Sequence, residues 1–438
     1  MRTLDNTLPI TRSFRIRFTK FANGERMPML LDGHGVPVYL PTLYVTTQIR
    51  NASKAPNTML AVLDALRWLL RWADGRGISL EQRFKAKVFL NDTEIESLRA
   101  FAQTKSAVRG QARPKVIAIP RRTEGARLSR TASSPARIST NAHYVRLSYI
   151  AHYVNWLGNH ILDRSRADEA DRKSLARMAT RIEMSRPRVR RGSSFAARRS
   201  LDTTAQQRLA ELVRLTFPGN PFAMALRIRN ALIISLLSEL GVRAGELLAL
   251  KIQDFDLQAN EVIIARRHDD PQDPRSNQPV AKTLDRRLPL TPELSKAVYD
   301  YVLHDRGKLR RAKRHDFLIV THQSVPHEGL PMSIKGLEKI FALLRSAEPK
   351  LAKLTPHVLR HTWNERFSAR MDASNTTVAD EEKMRSHWMG WREASGSAAM
   401  YLPRRTEQLA KQAALQLQTP RANGRGRHES QRCCGGQG

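Results

Sequence analysis

The stretch NPFAMALRIRNALIISLLSELGVRAGELLAL, residues 220–250, decides the fold of the second half of the chain. Its first part, as far as Gly241, is apolar on nearly all sides, which predicts a buried helix. The part that follows places Arg243 at a junction between two helices, with Glu246 three residues further on. One helical turn puts these two side chains on one face, so the carboxylate is able to orient the guanidinium. Taken alone, such a pair is more often a structural surface ion pair than a functional one.

Short apolar segments after this stretch predict a small β-hairpin. The sequence EVIIARR, residues 261–267, indicates a strand, and RRLPL, residues 286–290, indicates a second one. Between them lies a long polar loop, HDDPQDPRSNQPVAKT, residues 268–283. In this loop, Lys282 stands where a β-turn would place its amine against a base or a phosphate, although a lone lysine in a polar loop is usually only solvated.

The charge of the chain indicates an anionic partner. The 438 residues include 74 Lys and Arg against 41 Asp and Glu, a net charge of +33. Residues 101–200 hold 22 basic and 6 acidic side chains, a net +16, so about half of the excess lies in under a quarter of the length. Arginine, which pairs with phosphate through two hydrogen bonds, dominates this excess. A nucleic acid is therefore the predicted partner.

Other classes of protein are excluded by composition. The best apolar run, Ala231–Leu237, is far shorter than the ~18 residues of a membrane-spanning helix. The first residues, MRTLDNTLPITRS, contain no apolar signal core, so we expect an intracellular protein. The two cysteines, Cys433 and Cys434, are adjacent, which excludes a disulfide framework and a cysteine-based metal site.

Composition and periodicity predict several segments along the chain. We expect residues 1–45 to be extended or irregular, as an N-terminal extension or an arm-like module. Apolar periodicity predicts helices near 57–74, 92–103, 140–162 and 166–184, and hence a helical domain. Residues 185–200 contain six arginines and no acid, which is typical of an interdomain linker. The predicted boundaries are 46–184 for the helical domain with a basic insertion at about 104–139, 201–418 for the second domain, and 419–438 for a disordered tail.

Two further patches carry residue types suited to phosphate chemistry. In TPHVLRHTW, residues 355–363, His357 and Arg360 share one helix face near an N-terminus that Thr355 and Pro356 would start. A zinc site at His357 and His361 is disfavoured, because the glutamate of the HExxH pattern and any third ligand are missing. In HWMGWREASGSAAMYLPR, residues 387–404, Tyr401 follows Trp391 by ten residues, although both could simply be core aromatic residues.

Together, these motifs resemble the tyrosine recombinase (phage integrase) family in order and approximate spacing. The resemblance covers roughly residues 200–417. It implies a fold that is mainly α with a small antiparallel β-sheet: a helical core-binding domain and an α+β catalytic domain that form a C-shaped clamp on double-stranded DNA. It implies a site-specific recombinase or integrase that cuts and rejoins duplex DNA through a 3′-phosphotyrosyl intermediate and integrates a mobile element.

The resemblance also implies a role for each site residue. Arg243 and Arg360 clamp the non-bridging oxygens of the scissile phosphate, and Glu246 supports Arg243. Lys282 gives a proton to the leaving 5′ oxygen, and His357 assists proton transfer and holds the phosphate. Trp391 donates one hydrogen bond, and Tyr401 is the nucleophile. No cofactor and no metal are needed, since the phosphotyrosine conserves the energy of the broken bond.

The sequence departs from the family pattern in ways that keep alternatives open. Val358 stands where the family commonly has aspartate, and Trp391 follows Arg360 by 31 positions, more than the family pattern suggests. His387 is therefore an alternative to Trp391, and Arg286 is an alternative to Lys282. A type IB topoisomerase and a catalytically impaired DNA-binding accessory protein of recombinase descent are alternative functions. The resemblance further implies a homo-oligomer that assembles on DNA, as a tetramer in synapsis, and accessory recombination proteins as further partners. It also implies a location in the cytoplasm, at the nucleoid.

Overall fold

A computed structural model describes residues 13–105, 136–188, 200–279, 283–322, 326–374, 376–392 and 403–418. Helices dominate these residues, and the strands form two small antiparallel sheets. The predicted fold class, mainly α with a small antiparallel sheet, is confirmed, although the sequence indicated one sheet and the structure has two. The described residues form two compact units. Unit 1 contains those before 189 together with Asp269–Gln278, and unit 2 contains the others.

Unit 1 begins with a β-hairpin in the segment predicted to be extended or irregular. Strand β1, Arg15–Lys20, pairs antiparallel with β2, Arg26–Leu31, and Arg15 lies opposite Leu31. The buried side chains of Met27 and Leu30 join the hairpin to the core of unit 1. Residues of the predicted N-terminal extension therefore pack into the same core as the helices that follow them.

The remainder of unit 1 is helical and follows the predicted periodicity. Its central helices pack against one another, with α5 in contact with both α2 and α6. Side chains of Ser79, Asn91, Ser139 and Asp168 cap four of the helices by accepting backbone N–H groups of the first turn. The helices are α1, Tyr39–Tyr44; α2, Pro56–Asp74; α3, Leu80–Lys85; α4, Asp92–Ala102; α5, Thr140–Leu162; and α6, Glu169–Met184.

Unit 2 surrounds the buried helix that the sequence predicts at residues 220–241. Its helices are α7, Thr203–Leu212; α8, Met224–Leu240; α9, Ala244–Ala249; α10, Pro292–Asp300; α11, Ile334–Ala347; α12, Pro356–Ala373; α13, Val378–Met389; and α14, Pro403–Gln418. Helix α8 packs against α9, α10 and α12, so its apolar surface is buried from several sides.

The sheet of unit 2 contains the predicted hairpin. Strands β3, Phe255–Asp256, β4, Glu261–Ile264, and β5, Arg286–Pro289, pair antiparallel in the order β3-β4-β5. Val262 and Leu288 lie opposite each other and are fully buried, whereas Ile263 and Arg287 face outward. The period-2 alternation of the two predicted strands thus fixes which face packs on the helices.

Three predicted segments lie wholly or largely outside the described residues. They are the basic insertion, of which residues 106–135 are not described, the arginine-rich linker, of which 189–199 are not described, and the tail after 418. Across the described parts of the chain, none of the helices combines the length and the apolar character that a membrane crossing requires.

Candidate active site

Arg243 stands at the N-cap of α9, directly after the turn that ends α8. Gly241 forms this turn with a φ of +61°, which is unfavourable for residues with a Cβ. A Cβ at Gly241 would also lie 2.8 Å from Cγ of Trp363. Glu246 accepts hydrogen bonds from the Arg243 backbone N–H at 3.0 Å and from its Nη1 at 3.3 Å. The pairing expected from their spacing is therefore present.

Glu246 is the buried centre of the site. Its carboxylate also accepts a 2.6 Å hydrogen bond from Thr283 Oγ1 and a 2.8 Å hydrogen bond from Arg286 Nη2. Burial alone would raise the pKa of Glu246, but the charge of Arg286 and the hydrogen bonds from Arg286, Thr283 and the Arg243 backbone outweigh it and lower the pKa to about 2. The carboxylate is therefore ionised at neutral pH and holds three side chains around it.

Arg360 approaches the same carboxylate from helix α12. The helix begins as predicted, with Thr355 as the N-cap and Pro356 as the first residue. Arg360 is buried; its Nη1 donates to the Gly241 carbonyl at 2.7 Å and lies 4.0 Å from Glu246 Oε2. Two guanidinium groups that are 117 positions apart in sequence, those of Arg243 and Arg360, thus lie within 4.0 Å of one carboxylate.

Two histidines lie on the first turns of α12. His357 is exposed and His361 is buried, and their Nε2 atoms are 3.0 Å apart, so one ring nitrogen donates and the other accepts. Both line a cleft of about 540 Å³ together with Lys350 and Lys353. No cluster of three or more His, Cys, Asp or Glu side chains suited to a metal ion occurs in the described ranges.

Arg286, the sequence-based alternative to Lys282, has a buried and fully engaged guanidinium. Besides Glu246, it donates to the Trp388 carbonyl through Nε at 2.6 Å and to Thr283 Oγ1 through Nη1 at 3.1 Å. Its side chain is 2% exposed. Arg286 therefore connects β5 to α9 and to the end of α13. Its guanidinium stabilises the site through these hydrogen bonds and is not exposed to a ligand.

Helix α13 ends against β5 at a glycine. Gly390 has a φ of +63°, and a Cβ there would lie 2.7 Å from the Leu284 carbonyl oxygen and 2.9 Å from Thr283 Cβ. The Gly390 carbonyl accepts the Leu284 N–H at 2.9 Å. Only a residue without a side chain permits this approach, which brings the end of α13 beside Thr283 and Arg286.

Trp391 and its alternative, His387, have different surroundings. The Trp391 ring lies beside Arg360, with Cζ of the arginine 5.5 Å from the ring centroid, within the range of a cation–π contact. His387 is exposed in the last turn of α13. The two remaining predicted residues, Lys282 and Tyr401, lie outside the described residues, which resume at Thr283 and at Pro403, respectively.

Sequence reasoning missed Thr283 and the structural role of Arg286. Both are polar residues that follow the long loop after β4, and their type alone does not distinguish them from solvated loop residues. The alternation of β5 carried a usable signal, because Arg286 lies on the same face as Leu288, which the pattern buries. A charged residue on a buried face requires a partner, and Glu246 was the acidic residue already identified.

Part of the chain is similar to a known family of proteins. Residues 207–380 match the profile of the phage integrase family. The tyrosine recombinase XerD of Halalkalibacterium halodurans is 29% identical over 144 residues, which cover 33% of this chain and 40% of that protein. The putative integrase/recombinase y4rF of Sinorhizobium fredii is 28% identical over 188 residues, which cover 42% of this chain and 33% of that protein. The chain thus spans well under half the length of these curated relatives.

Solved structures also align with the chain. The crystal structure of XerA recombinase has a TM-score of 0.33 and 17% identity over 87% of this chain and 99% of that chain. The XerH site-specific recombinase bound to difH substrate has a TM-score of 0.44 and 11% identity over 86% of this chain and 93% of that chain.

Proposed function

We propose that this protein is a site-specific recombinase that cuts and rejoins duplex DNA, and the match of residues 207–380 to the phage integrase family supports this proposal. The observation that carries the proposal is the convergence of Arg243 and Arg360 on the carboxylate of Glu246. A phosphate that is attacked by a nucleophile gains negative charge in the transition state, and guanidinium groups fixed in advance stabilise that charge. The net charge of +33 further favours a DNA substrate.

In the proposed reaction, the phenolic oxygen of Tyr401 attacks the scissile phosphorus while Arg243 and Arg360 hold the non-bridging oxygens. The bond from phosphorus to the 5′ oxygen breaks, and that oxygen takes a proton from Lys282. The products are a 3′-phosphotyrosyl link and a free 5′ hydroxyl. A neutral tyrosine has a pKa of about 10 and is a weak nucleophile, so transfer of its proton, assisted by His357, is part of the step.

Trp391 is the proposed hydrogen-bond donor to the same phosphate, since it lies beside Arg360. The reverse reaction with a different 5′ hydroxyl completes strand exchange, because the covalent link conserves the energy of the broken bond. We propose that the enzyme acts as a tetramer on paired DNA sites, in the cytoplasm at the nucleoid, and that it integrates a mobile element.

The test uses nicked suicide duplexes, from which the short leaving strand is lost after cleavage. Duplexes with a randomised centre are incubated with the wild-type protein, and covalent adducts are recovered under denaturing conditions and sequenced. We expect an adduct with wild type and none with Tyr401→Phe, whose DNA binding, measured by mobility shift, is retained. Adduct formation by Tyr401→Phe would overturn the nucleophile assignment.

The same preparation separates the alternatives. Relaxation of a supercoiled plasmid that lacks the selected site would indicate a type IB topoisomerase. DNA binding without an adduct on any duplex of the pool would indicate an accessory protein of recombinase descent.

A further inference from the structure

The carboxyl end of α8 is bound by side chains from two other helices of unit 2. The last carbonyl groups of a helix have no partner within the helix, so they require donors from elsewhere. Trp363 of α12 donates its indole N–H to the Glu239 carbonyl at 2.8 Å. Trp388 of α13 donates its indole N–H to the Leu240 carbonyl at 3.1 Å. Two neighbouring carbonyl groups at the end of α8 are therefore bound by one tryptophan from each helix.

The two indole rings also contact each other. The ring centroids of Trp363 and Trp388 are 5.3 Å apart and their planes are inclined by 18°, so the rings are stacked. Trp363 is buried, and Trp388 is half-buried and packs against the core of unit 2. Stacking limits the orientations that each ring is able to adopt. These two residues, the tryptophan pair, thus join α12 to α13 while both of their N–H groups bind the same helix end.

The carbonyl groups bound by the tryptophan pair directly precede the turn that leads to Arg243. Gly241 is the next residue, and its carbonyl accepts the 2.7 Å hydrogen bond from Arg360 Nη1. A Cβ at Gly241 would lie 2.8 Å from Cγ of Trp363 and 3.1 Å from Cε of Met389, so the turn packs closely on α12 and α13. Trp363 follows Arg360 by three positions, which places both side chains on one face of α12.

The end of α13 is held at Trp388 through the backbone as well. The Trp388 carbonyl accepts a 2.6 Å hydrogen bond from Arg286 Nε. Trp391 follows Trp388 by three positions, and its ring lies beside Arg360. The position of α13 next to the site is therefore set on one side by β5 and on the other by the end of α8.

We propose that the tryptophan pair is a positioning element for Arg243 and Arg360. This inference rests on the proposed function. The two indole N–H groups fix the end of α8, and with it the turn before Arg243, relative to the helix that carries Arg360. Guanidinium groups held in place beforehand stabilise developing charge without reorganisation during the reaction. If the rings only filled apolar space, their N–H groups would not affect catalysis.

An uncharged substituent on the phosphate separates positioning from a loss of structure. In a methylphosphonate, a methyl group replaces one non-bridging oxygen of the scissile phosphate and removes its negative charge. Stabilisation by the two arginines then matters less, because less charge develops in the transition state. A defect in positioning the arginines is therefore smaller on this duplex, whereas a defect in folding or in DNA binding is the same on both duplexes.

The variants remove the N–H group and retain an aromatic ring. They are Trp363→Phe and Trp388→Phe, since indole is a donor and phenylalanine has no polar group. Trp72→Phe is the matched control. The Trp72 ring is buried in the core of unit 1, and its indole N–H donates to Ser97 Oγ at 3.2 Å. The control therefore loses the same kind of hydrogen bond at a position that is not part of the site.

The measurement is the single-turnover rate of adduct formation on a suicide duplex selected by the wild-type protein, made with a phosphate or with a methylphosphonate at the cleavage position. We expect Trp363→Phe and Trp388→Phe to be slower than wild type on phosphate by roughly 10- to 100-fold, because a small misplacement of catalytic groups causes such losses. On methylphosphonate, their rates relative to wild type should recover, as should those of Arg243→Ala and Arg360→Ala. Trp72→Phe should match wild type on both duplexes.

Wild-type rates for both variants on phosphate, or an equal loss on the two duplexes, would overturn the inference. If a phenylalanine variant fails to fold, 3-benzothienylalanine at the same position retains the size of the ring and replaces the N–H group with sulfur. The same loss on phosphate is then expected, and a wild-type rate would overturn the positioning role. Absence of any wild-type adduct on phosphate would instead overturn the proposed function, and the positioning role with it.

Discussion

Arg286 Nη2 donates a 2.8 Å hydrogen bond to Glu246 Oε2, and the two side chains are 2% and 0% exposed. This buried pair joins the sheet of unit 2 to the helix that starts at Arg243. Because the same carboxylate also lies near Arg360, the pair fixes the positions of both proposed phosphate-binding arginines.

Replacement of Arg286 by methionine should strongly destabilise the protein, because it leaves the Glu246 carboxylate buried without its closest cation. Removal of one partner of a buried ion pair costs about 3–5 kcal/mol. The matched control is Arg287→Met on the same strand, whose ion pair with Glu261 is largely exposed and should contribute about 1 kcal/mol or less. Urea denaturation of the three proteins measures the difference, and equal midpoints for the two variants would contradict a structural role for Arg286.

The pKa of Glu246 predicts how stability depends on pH. Its folded-state pKa of about 2 lies below the ordinary value of 4.5, so the unfolded state binds the proton more readily. The resulting stabilisation, on the order of 3 kcal/mol, is fully present above pH 4.5 and is lost as the pH falls from 4.5 toward 2. The free energy of unfolding of wild type should therefore exceed that of Glu246→Gln at pH 7, and this excess should shrink between pH 4.5 and pH 3. A constant difference across that range would show that the carboxylate is not held ionised.

Gly390 should tolerate no side chain. Alanine at this position would have to adopt a left-handed backbone conformation, which costs about 1–2 kcal/mol. Its Cβ would also clash with the Leu284 carbonyl oxygen, and because that atom is backbone, the clash is not removed by a change of side-chain rotamer. Gly77, with a φ of +66° and no atom within 4 Å of its Cβ position, is the matched control, and Gly77→Ala should show the backbone cost alone. Thermal unfolding followed by circular dichroism compares the two variants. A smaller loss for Gly390→Ala than for Gly77→Ala would contradict the close packing of α13 against β5.

The assignment of the hydrogen-bond donor to Trp391 or to His387 predicts different effects of substitution on catalysis. Trp391→Phe retains an aromatic ring beside Arg360 but removes the indole N–H. If this group donates to the phosphate, adduct formation should slow by roughly 10²-fold, the loss typical of one such donor in other enzymes. His387→Phe should then leave the rate unchanged, because the hydrogen bond to the phosphate comes from Trp391. The reverse result, a slow His387 variant and an unaffected Trp391 variant, would exchange the two assignments.

The sequence predicted local structure well where periodicity and capping agree. Helix α5, Thr140–Leu162, matches the predicted range 140–162, and α2, Pro56–Asp74, begins one residue before the predicted range 57–74. The Arg243–Glu246 pair was also predictable, since a spacing of three on a helix leaves little freedom. In each case, the interaction is local, so the sequence contains all the information needed.

Long-range relationships were not predictable. The sequence HDDPQDPRSNQ looks like a solvated loop because it is polar. Its hydrogen-bond partners Arg26 and Lys20 lie about 250 positions earlier, so the local sequence does not show them. Likewise, the alternation of β5 indicates that Arg286 is buried and needs a partner, but only the tertiary contacts show that this partner is Glu246. Buried polar networks depend on tertiary contacts, which single-sequence patterns do not encode.

The most direct test of the proposed mechanism is to identify the amino acid that carries the DNA. Wild-type adduct formed on the selected suicide duplex is digested with nuclease and protease, and the nucleotide-bearing peptide is sequenced by mass spectrometry. We predict a nucleotide joined through its 3′ phosphate to Tyr401, with no adduct recovered from Arg243→Ala or Arg360→Ala under the same conditions. A nucleotide on any other residue, or an adduct that forms at the wild-type rate without either arginine, would contradict the mechanism.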